Sequence, residues 1–165
     1  MSIESVREYL SARGRDDVLR TPGSSATVLE AAEAFGVEPA RIAKTLSFRG
    51  DSPDSCVLVV MAGDARTDNA AFKSTFGRKA TMLKADEVER LTGHPVGGVC
   101  PFANPGSATV HLDTSLRRFT TVFPAAGSPD SAIEVSPEDL VDLSGAVGWV
   151  TIGRLPDYAE PQATQ

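Results

Sequence analysis

The spacing of apolar residues along the chain predicts short helices and short strands in mixed order. Val6, Tyr9 and Leu10 recur at helical spacing behind Ser2, a residue able to cap that helix. Residues 20–25 read as a loop. Thr27 and Glu30 have the spacing of a capping box, and Ala31, Ala32 and Phe35 continue one apolar stripe as far as Gly36. Pro39 suits the start of a further short helix that carries Ile42 and Ala43 and ends at Lys44. Thr45 to Phe48 alternate like a strand, while Cys56 to Met61 form an unbroken apolar run, the pattern of a strand buried on both faces. Helices follow over 68–76 and 86–92, stopped by Gly77 and Gly93, with a strand over 79–83 between them. Val110 with Leu112, then Thr121 to Phe123, read as strands around a turn at 113–119, and Ile133 to Val135 as another. Ser136 and Pro137 open a helix whose first turn carries Glu138 and Asp139, and Gly145 closes it. A last strand over 146–152 contains Trp149. Helices and strands mix without a strict βαβ rhythm, which predicts a single α/β domain over 1–152 with a mixed sheet, and a frayed tail over 153–165.

The totals narrow the class. A chain of 165 residues, 41% hydrophobic and 23% charged, fits one soluble globular domain with a real core. No apolar run approaches the roughly 20 residues of a membrane helix, and the polar, acidic N-terminus is not a signal peptide. The expected location is therefore the cytoplasm, no membrane partner is expected, and Cys56 and Cys100 are expected as reduced thiols. In that setting Arg49-Gly50-Asp51 reads as a turn rather than an adhesion motif. Two Cys and two His without a paired motif predict no metal site.

Charge changes the picture more. The net charge of −6 sits in residues 129–165, where Arg154 stands alone against seven acids. Residues 41–128 hold 11 basic and 8 acidic side chains. A general nucleic-acid coat is excluded, and a local basic face is not.

Three places could carry chemistry. Lys44 lies among apolar and small neighbours and either reaches a binding site or lays its stem along apolar surface toward water, the commoner fate of a lysine. Gly97-Gly98 lies in the loop from His94 to Ser107, which carries three Gly and three Pro. Its amides could form an oxyanion hole beside the wall Val99-Cys100-Pro101-Phe102, or the pair could be a plain turn. Cys100 could be a nucleophile with His94 as base and Asp113 as orienting acid, although a free cysteine more often behaves as a small buried apolar residue. Cys56 reads as core and His111 as an ordinary strand residue. Phosphate-binding glycine loops and the serine-hydrolase elbow are missing from the sequence.

Taken in order, the motifs resemble the YbaK/EbsC family of aminoacyl-tRNA deacylases, relatives of the editing domain of prolyl-tRNA synthetase. The matching pieces are Thr27 to Ala32 with Gly36-Val37, Ile42 to Leu46, Ala62-Gly63-Asp64, Phe72-Lys73 with Phe76 to Ala80, Thr92 to Phe102, Leu112 to Leu116 and Glu134 to Leu140. The resemblance spans about 25–152 and implies a compact mixed α/β fold around a curved sheet. It implies hydrolysis of the ester on a mischarged tRNA, with tRNA for proline the expected substrate and neither cofactor nor metal required. The family lysine falls on Lys44, which would hold the substrate, and the glycine loop on Gly97 and Gly98, which would hold the carbonyl oxygen. Met61, His94, Val99, Cys100, Pro101, Phe102 and Asp113 are the expected substrate-binding residues. Arg41, Lys73, Arg78, Lys79, Arg117 and Arg118 are the expected tRNA contacts, and an aminoacyl-tRNA synthetase is a further expected partner. A module that binds aminoacyl-tRNA without cleaving it, and a Cys100-dependent hydrolase, are the alternatives.

Overall fold

A computed structural model describes residues 2–21, 23 and 27–156, apart from the side chain of Ser2. The chain runs α1 (Ser2–Ser11), β1 (Leu19–Arg20), α2 (Val28–Phe35), a single 3-10 turn (Pro39–Arg41), β2 (Ile42–Arg49), β3 (Cys56–Ala62), β4 (Arg66–Thr67), α3 (Asn69–Phe76) and α4 (Ala85–Thr92). It continues through β5 (Ala108–Asp113), a 3-10 segment (Thr114–Arg118), β6 (Phe123–Pro124), β7 (Ser131–Ala132), α5 (Pro137–Ser144), β8 (Trp149–Val150) and β9 (Gly153–Arg154). The expected mixed α/β domain is present. A five-stranded sheet in the order β6-β2-β3-β5-β8 is flanked by two-stranded pairs β1·β7 and β4·β9.

β3 organises the sheet. All seven of its residues are buried, as the apolar run predicts, and it pairs antiparallel with β2 and parallel with β5. Leu58, Val60 and Ala62 point into the main core with Leu10, Leu91, Phe102, Leu112 and Leu140, while Val57, Val59 and Met61 meet Phe48, Phe72 and Ile152 on the opposite face. Both faces being covered explains why the run shows no alternation.

Several boundaries differ from the sequence reading, for physical reasons. Ile42, Ala43 and Lys44 are strand, not helix. The Pro39 turn closes after two hydrogen bonds, from Arg41 N to Glu38 O and from Ile42 N to Pro39 O, and pairing with β3 along Ala43 to Arg49 then outcompetes an unnucleated helix. The expected strand 79–83 reduces to a Phe48–Met82 bridge, with Arg49 N donating to Thr81 O at 2.8 Å and Leu83 N to Ser47 O at 3.1 Å. The expected strand 133–135 reduces to a bridge between Val122 and Val135. The capping role expected of Ser2 and the tail from Asp157 onward lie outside the described residues.

Gly153 and Arg154, read from sequence as the start of the tail, pair with Thr67 and Arg66. Asp113 anchors them. The carboxylate is fully buried at the end of β5 and accepts from Ile152 N at 2.7 Å, Gly153 N at 2.9 Å and Ser115 N at 3.0 Å. A Cβ at Gly153 would stand 2.7 Å from Asp113 Oδ2, so only glycine fits. Asp113→Ala leaves three amides without their acceptor, and urea unfolding should show a loss of about 3 kcal/mol or more.

Candidate functional site

The outer edge of β2 is covered by β6 at Ile42 and Ala43, and by residues 81–83 from Ser47 onward. At the gap between them lies a cavity of about 250 Å³. One wall is α2, whose Val28, Ala31 and Phe35 face it while Ala32 turns to the buried side. The one apolar stripe of the helix thus meets both the protein and the cavity. The helix is held by the predicted capping box, Thr27 Oγ1 accepting from Glu30 N and Glu30 Oε1 from Thr27 N. Opposite stand Phe123, Ala125 and Ala132, with Phe35 stacked on Phe123 at 6.3 Å between ring centroids. Ile42, Ala43, Lys44 and Thr45 form the strand edge, Gly97 and Val99 line the cavity from the loop, and Thr27, Pro129 and Ser131 complete the lining.

Lys44 is half-buried on the same face of the sheet as its cross-strand partner Met61. Its ammonium donates to Ala65 O at 2.5 Å and to Gly63 O at 3.3 Å. An ammonium has three hydrogens, so one is left for a ligand. Burial lowers the pKa of Lys44 from the ordinary lysine value, Arg66 lowers it further, and Asp64 acts against both. The carbonyls that hold Lys44 are themselves fixed. Gly63 packs so closely that a Cβ would sit 2.1 Å from Pro39 O and 2.7 Å from Val28 Cγ1. Asp64 binds Arg118 through two bonds, 2.6 and 3.2 Å, and Arg118 Nε reaches Ser115 O at 2.9 Å. Ser115 Oγ in turn accepts from Ala62 N at 3.1 Å. A chain of hydrogen bonds thus sets the position of the ammonium from behind.

The loop 94–102 is more structural than its sequence suggests. Gly97 reaches the cavity with a φ of +88°. The Gly98 amide does not serve as an oxyanion donor, because it donates to Pro95 O at 2.9 Å. Cys100 and His94 do meet, with Sγ 3.5 Å from Nε2, but both are fully buried and neither lines the cavity. His94 Nε2 lies 2.7 Å from Phe102 O, and since a carbonyl only accepts, that nitrogen carries the proton and offers no lone pair to the thiol. Burial pushes the Cys100 thiol up to about 12. A nucleophile needs the thiolate, so this pair is not a catalytic dyad. Phe102 and Met61 are buried in the cores, Pro101 is buried, and Asp113 is committed to backbone amides. Of the expected substrate-binding residues, Val99 alone lines the cavity.

With this geometry in view, comparison with known proteins is decisive. Residues 23–143 match the model of the aminoacyl-tRNA editing domain. The chain belongs to the aminoacyl-tRNA editing domain family. It is 50% identical over 153 residues to the uncharacterized protein YwhH of Bacillus subtilis strain 168, covering 92% of this chain and 97% of that protein. The fold is similar to the crystal structure of the hypothetical protein APE2540, with a TM-score of 0.80 and 33% identity over 91% of this chain and 99% of the other. It is also similar to that of a protein proposed to be a trans-editing enzyme for prolyl-tRNA synthetase, with a TM-score of 0.79 and 31% identity over 89% and 94% of the two chains.

Within this editing domain the six expected tRNA contacts separate into two groups. Arg41 is held by Thr121 and Glu134 and lies over the Phe123 ring, so it braces the cavity wall. Arg118 is paired with Asp64, and Arg78 donates to the carbonyls of Arg49 and Phe76. Arg117 lies over Trp149 at 5.1 Å, and Lys73 and Lys79 are exposed. Val28 and Ala31 lie in a piece that carries the resemblance, whereas Phe35, Phe123, Ala125 and Ala132 have no sequence signal beyond apolar patterning.

The buried thiols give a direct check. Cys100 is fully buried, and burial raises the Cys56 thiol to about 11. Iodoacetamide at pH 8 should label neither cysteine of the native protein and both after denaturation, read by mass spectrometry.

Proposed function

We propose that this editing domain is a free-standing deacylase that hydrolyses the ester of mischarged tRNA, with tRNA for proline carrying a small non-cognate amino acid as substrate. The observation that carries the reading is the half-buried Lys44 ammonium, with one unused hydrogen, on the edge of a small apolar cavity that also receives Gly97. The similarity to a protein proposed as a trans-editing enzyme for prolyl-tRNA synthetase supports the choice of tRNA.

In this scheme the amino-acid side chain enters between α2 and Phe123, where Val28, Ala31 and Phe35 limit its size. The Gly97 N–H and the remaining Lys44 hydrogen take the ester carbonyl as it gains negative charge. A water, assisted by a ribose hydroxyl of the terminal nucleotide, forms the new C–O bond. The bond to the ribose oxygen breaks, and that oxygen leaves with a proton. Aminoacyl esters are activated, so positioning and charge stabilisation are sufficient chemistry. A synthetase that delivers the tRNA is a compatible partner.

Lys44→Ala should lower kcat/KM for mischarged tRNA by about 10²–10³, the usual cost of one lost donor to a developing oxyanion, with the circular dichroism spectrum unchanged. Incubating the wild-type protein with a panel of mischarged tRNAs and measuring free amino acid tests the reaction itself. Release from one or a few tRNAs is expected. Binding without release would replace the deacylase with a non-catalytic aminoacyl-tRNA binding module.

A further inference from the structure

Arg66 and Arg154 stand directly opposite one another in the β4·β9 pair. Side chains so placed leave the same face with their Cβ atoms about 5 Å apart, and like charges there repel. Both are exposed, and neither has a side-chain hydrogen bond or ion pair among the described residues. Arg154 is also the one base among the seven acids of residues 129–165.

The fold nevertheless holds this repulsive pair firmly. Asp113 grips Ile152 N and Gly153 N, the absent side chain of Gly153 makes room for that grip, and Asp68 N donates to Ile152 O at 2.7 Å. The two arginines border a cleft of about 240 Å³ with Asp64, Leu155 and Pro156. Asp64, the acid on its wall, is already committed to Arg118. What remains is two guanidinium forks with no counter-ion among the described residues, an arrangement suited to a phosphate.

Lys44 links the cleft to the cavity, since it lines the cavity and bonds the turn on the cleft wall. Asp64 lies between Gly63 and Ala65, whose carbonyls hold Lys44, and Arg66 follows directly. One turn therefore carries the lysine acceptors on its backbone and part of the cleft wall on its side chains. We propose that Arg66 and Arg154 form a phosphate site that takes a backbone phosphodiester of the tRNA acceptor end while the aminoacyl group occupies the neighbouring cavity. This rests on the tRNA reading above and adds a contact pair to it. A phosphate in the cleft also offsets the repulsion between Arg66 and the Lys44 ammonium, so docking favours the charged lysine.

The test uses the full chain with Arg66→Gln and Arg154→Gln combined. Binding of uncharged tRNA is followed by fluorescence anisotropy across a salt series. Deacylation is compared between aminoacyl-tRNA and a 3′-aminoacyl adenosine that lacks the phosphate. The expected result is binding weakened about tenfold or more, the worth of one charge-assisted contact, and a salt slope reduced by about one. The loss in kcat/KM should be larger on aminoacyl-tRNA than on the adenosine ester. The melting temperature should not fall, because the substitutions remove a repulsion. Unchanged tRNA affinity and slope, or an equal loss on both substrates, would overturn the site, as would wild-type protein that does not bind tRNA. Arginine-dependent tRNA binding without deacylation of any mischarged tRNA would uphold the site and remove the deacylase.

Discussion

A half-buried ammonium group on β2, beside the fully buried central strand, is the constraint around which this domain is arranged. A lysine placed at position 44 must either reach water or find acceptors, because a buried charge without partners is costly. Here it finds two carbonyls, of Gly63 and Ala65, at the turn that follows the central strand. The turn must pass close to Pro39 and Val28, which glycine at 63 allows, and must be held still, which the Asp64–Arg118 pair does. The Arg118 and Ser115 contacts then tie the turn to the end of β5, where Asp113 ties in β9. A line of hydrogen bonds thus runs from the candidate phosphate cleft to the lysine.

The second constraint is an interrupted sheet edge. β6 covers only the first two residues of β2, and the 81–83 segment only the last three, so an apolar cavity lies at the gap between them. Pockets with apolar walls and few convergent polar groups are the usual form of a small-ligand site. In this one the apolar walls come from a short capped helix and two two-residue strands, and the polar groups include Lys44, the loop around Gly97, Thr27, Thr45 and Ser131.

How far the sequence reveals this depends on the kind of signal. β3 is legible because burial on both faces leaves an unbroken apolar run, and α2 and α5 because their caps are written in side chains that bond their own backbone. The site lysine and Gly97 are legible through the ordered motifs of the editing-domain family. The strand state of Ile42 to Lys44 is not, since pairing with β3 decides it and a one-turn helix looks identical locally. Nor is the structural use of His94, Cys100 and Asp113. Residue types suited to catalysis are equally suited to closing a buried loop, and only their partners, Phe102 O and the amides of 152 and 153, tell the two apart. Arg154 shows the reverse error. Composition marked it as an isolated base in an acidic tail, and pairing with β4 places it opposite Arg66.

Lys44 is a charged group held against its own desolvation by the turn and by Asp64. Titration of the Lys44 ε-carbon and nitrogen resonances by NMR measures this directly, in the wild type and in Asp64→Asn. The prediction is a midpoint below the ordinary lysine value, displaced further downward in Asp64→Asn because the acid that favours the ammonium is gone while burial and Arg66 remain. A midpoint at the ordinary lysine value that does not respond to Asp64 would mean that the ammonium lies in water, and would contradict the account.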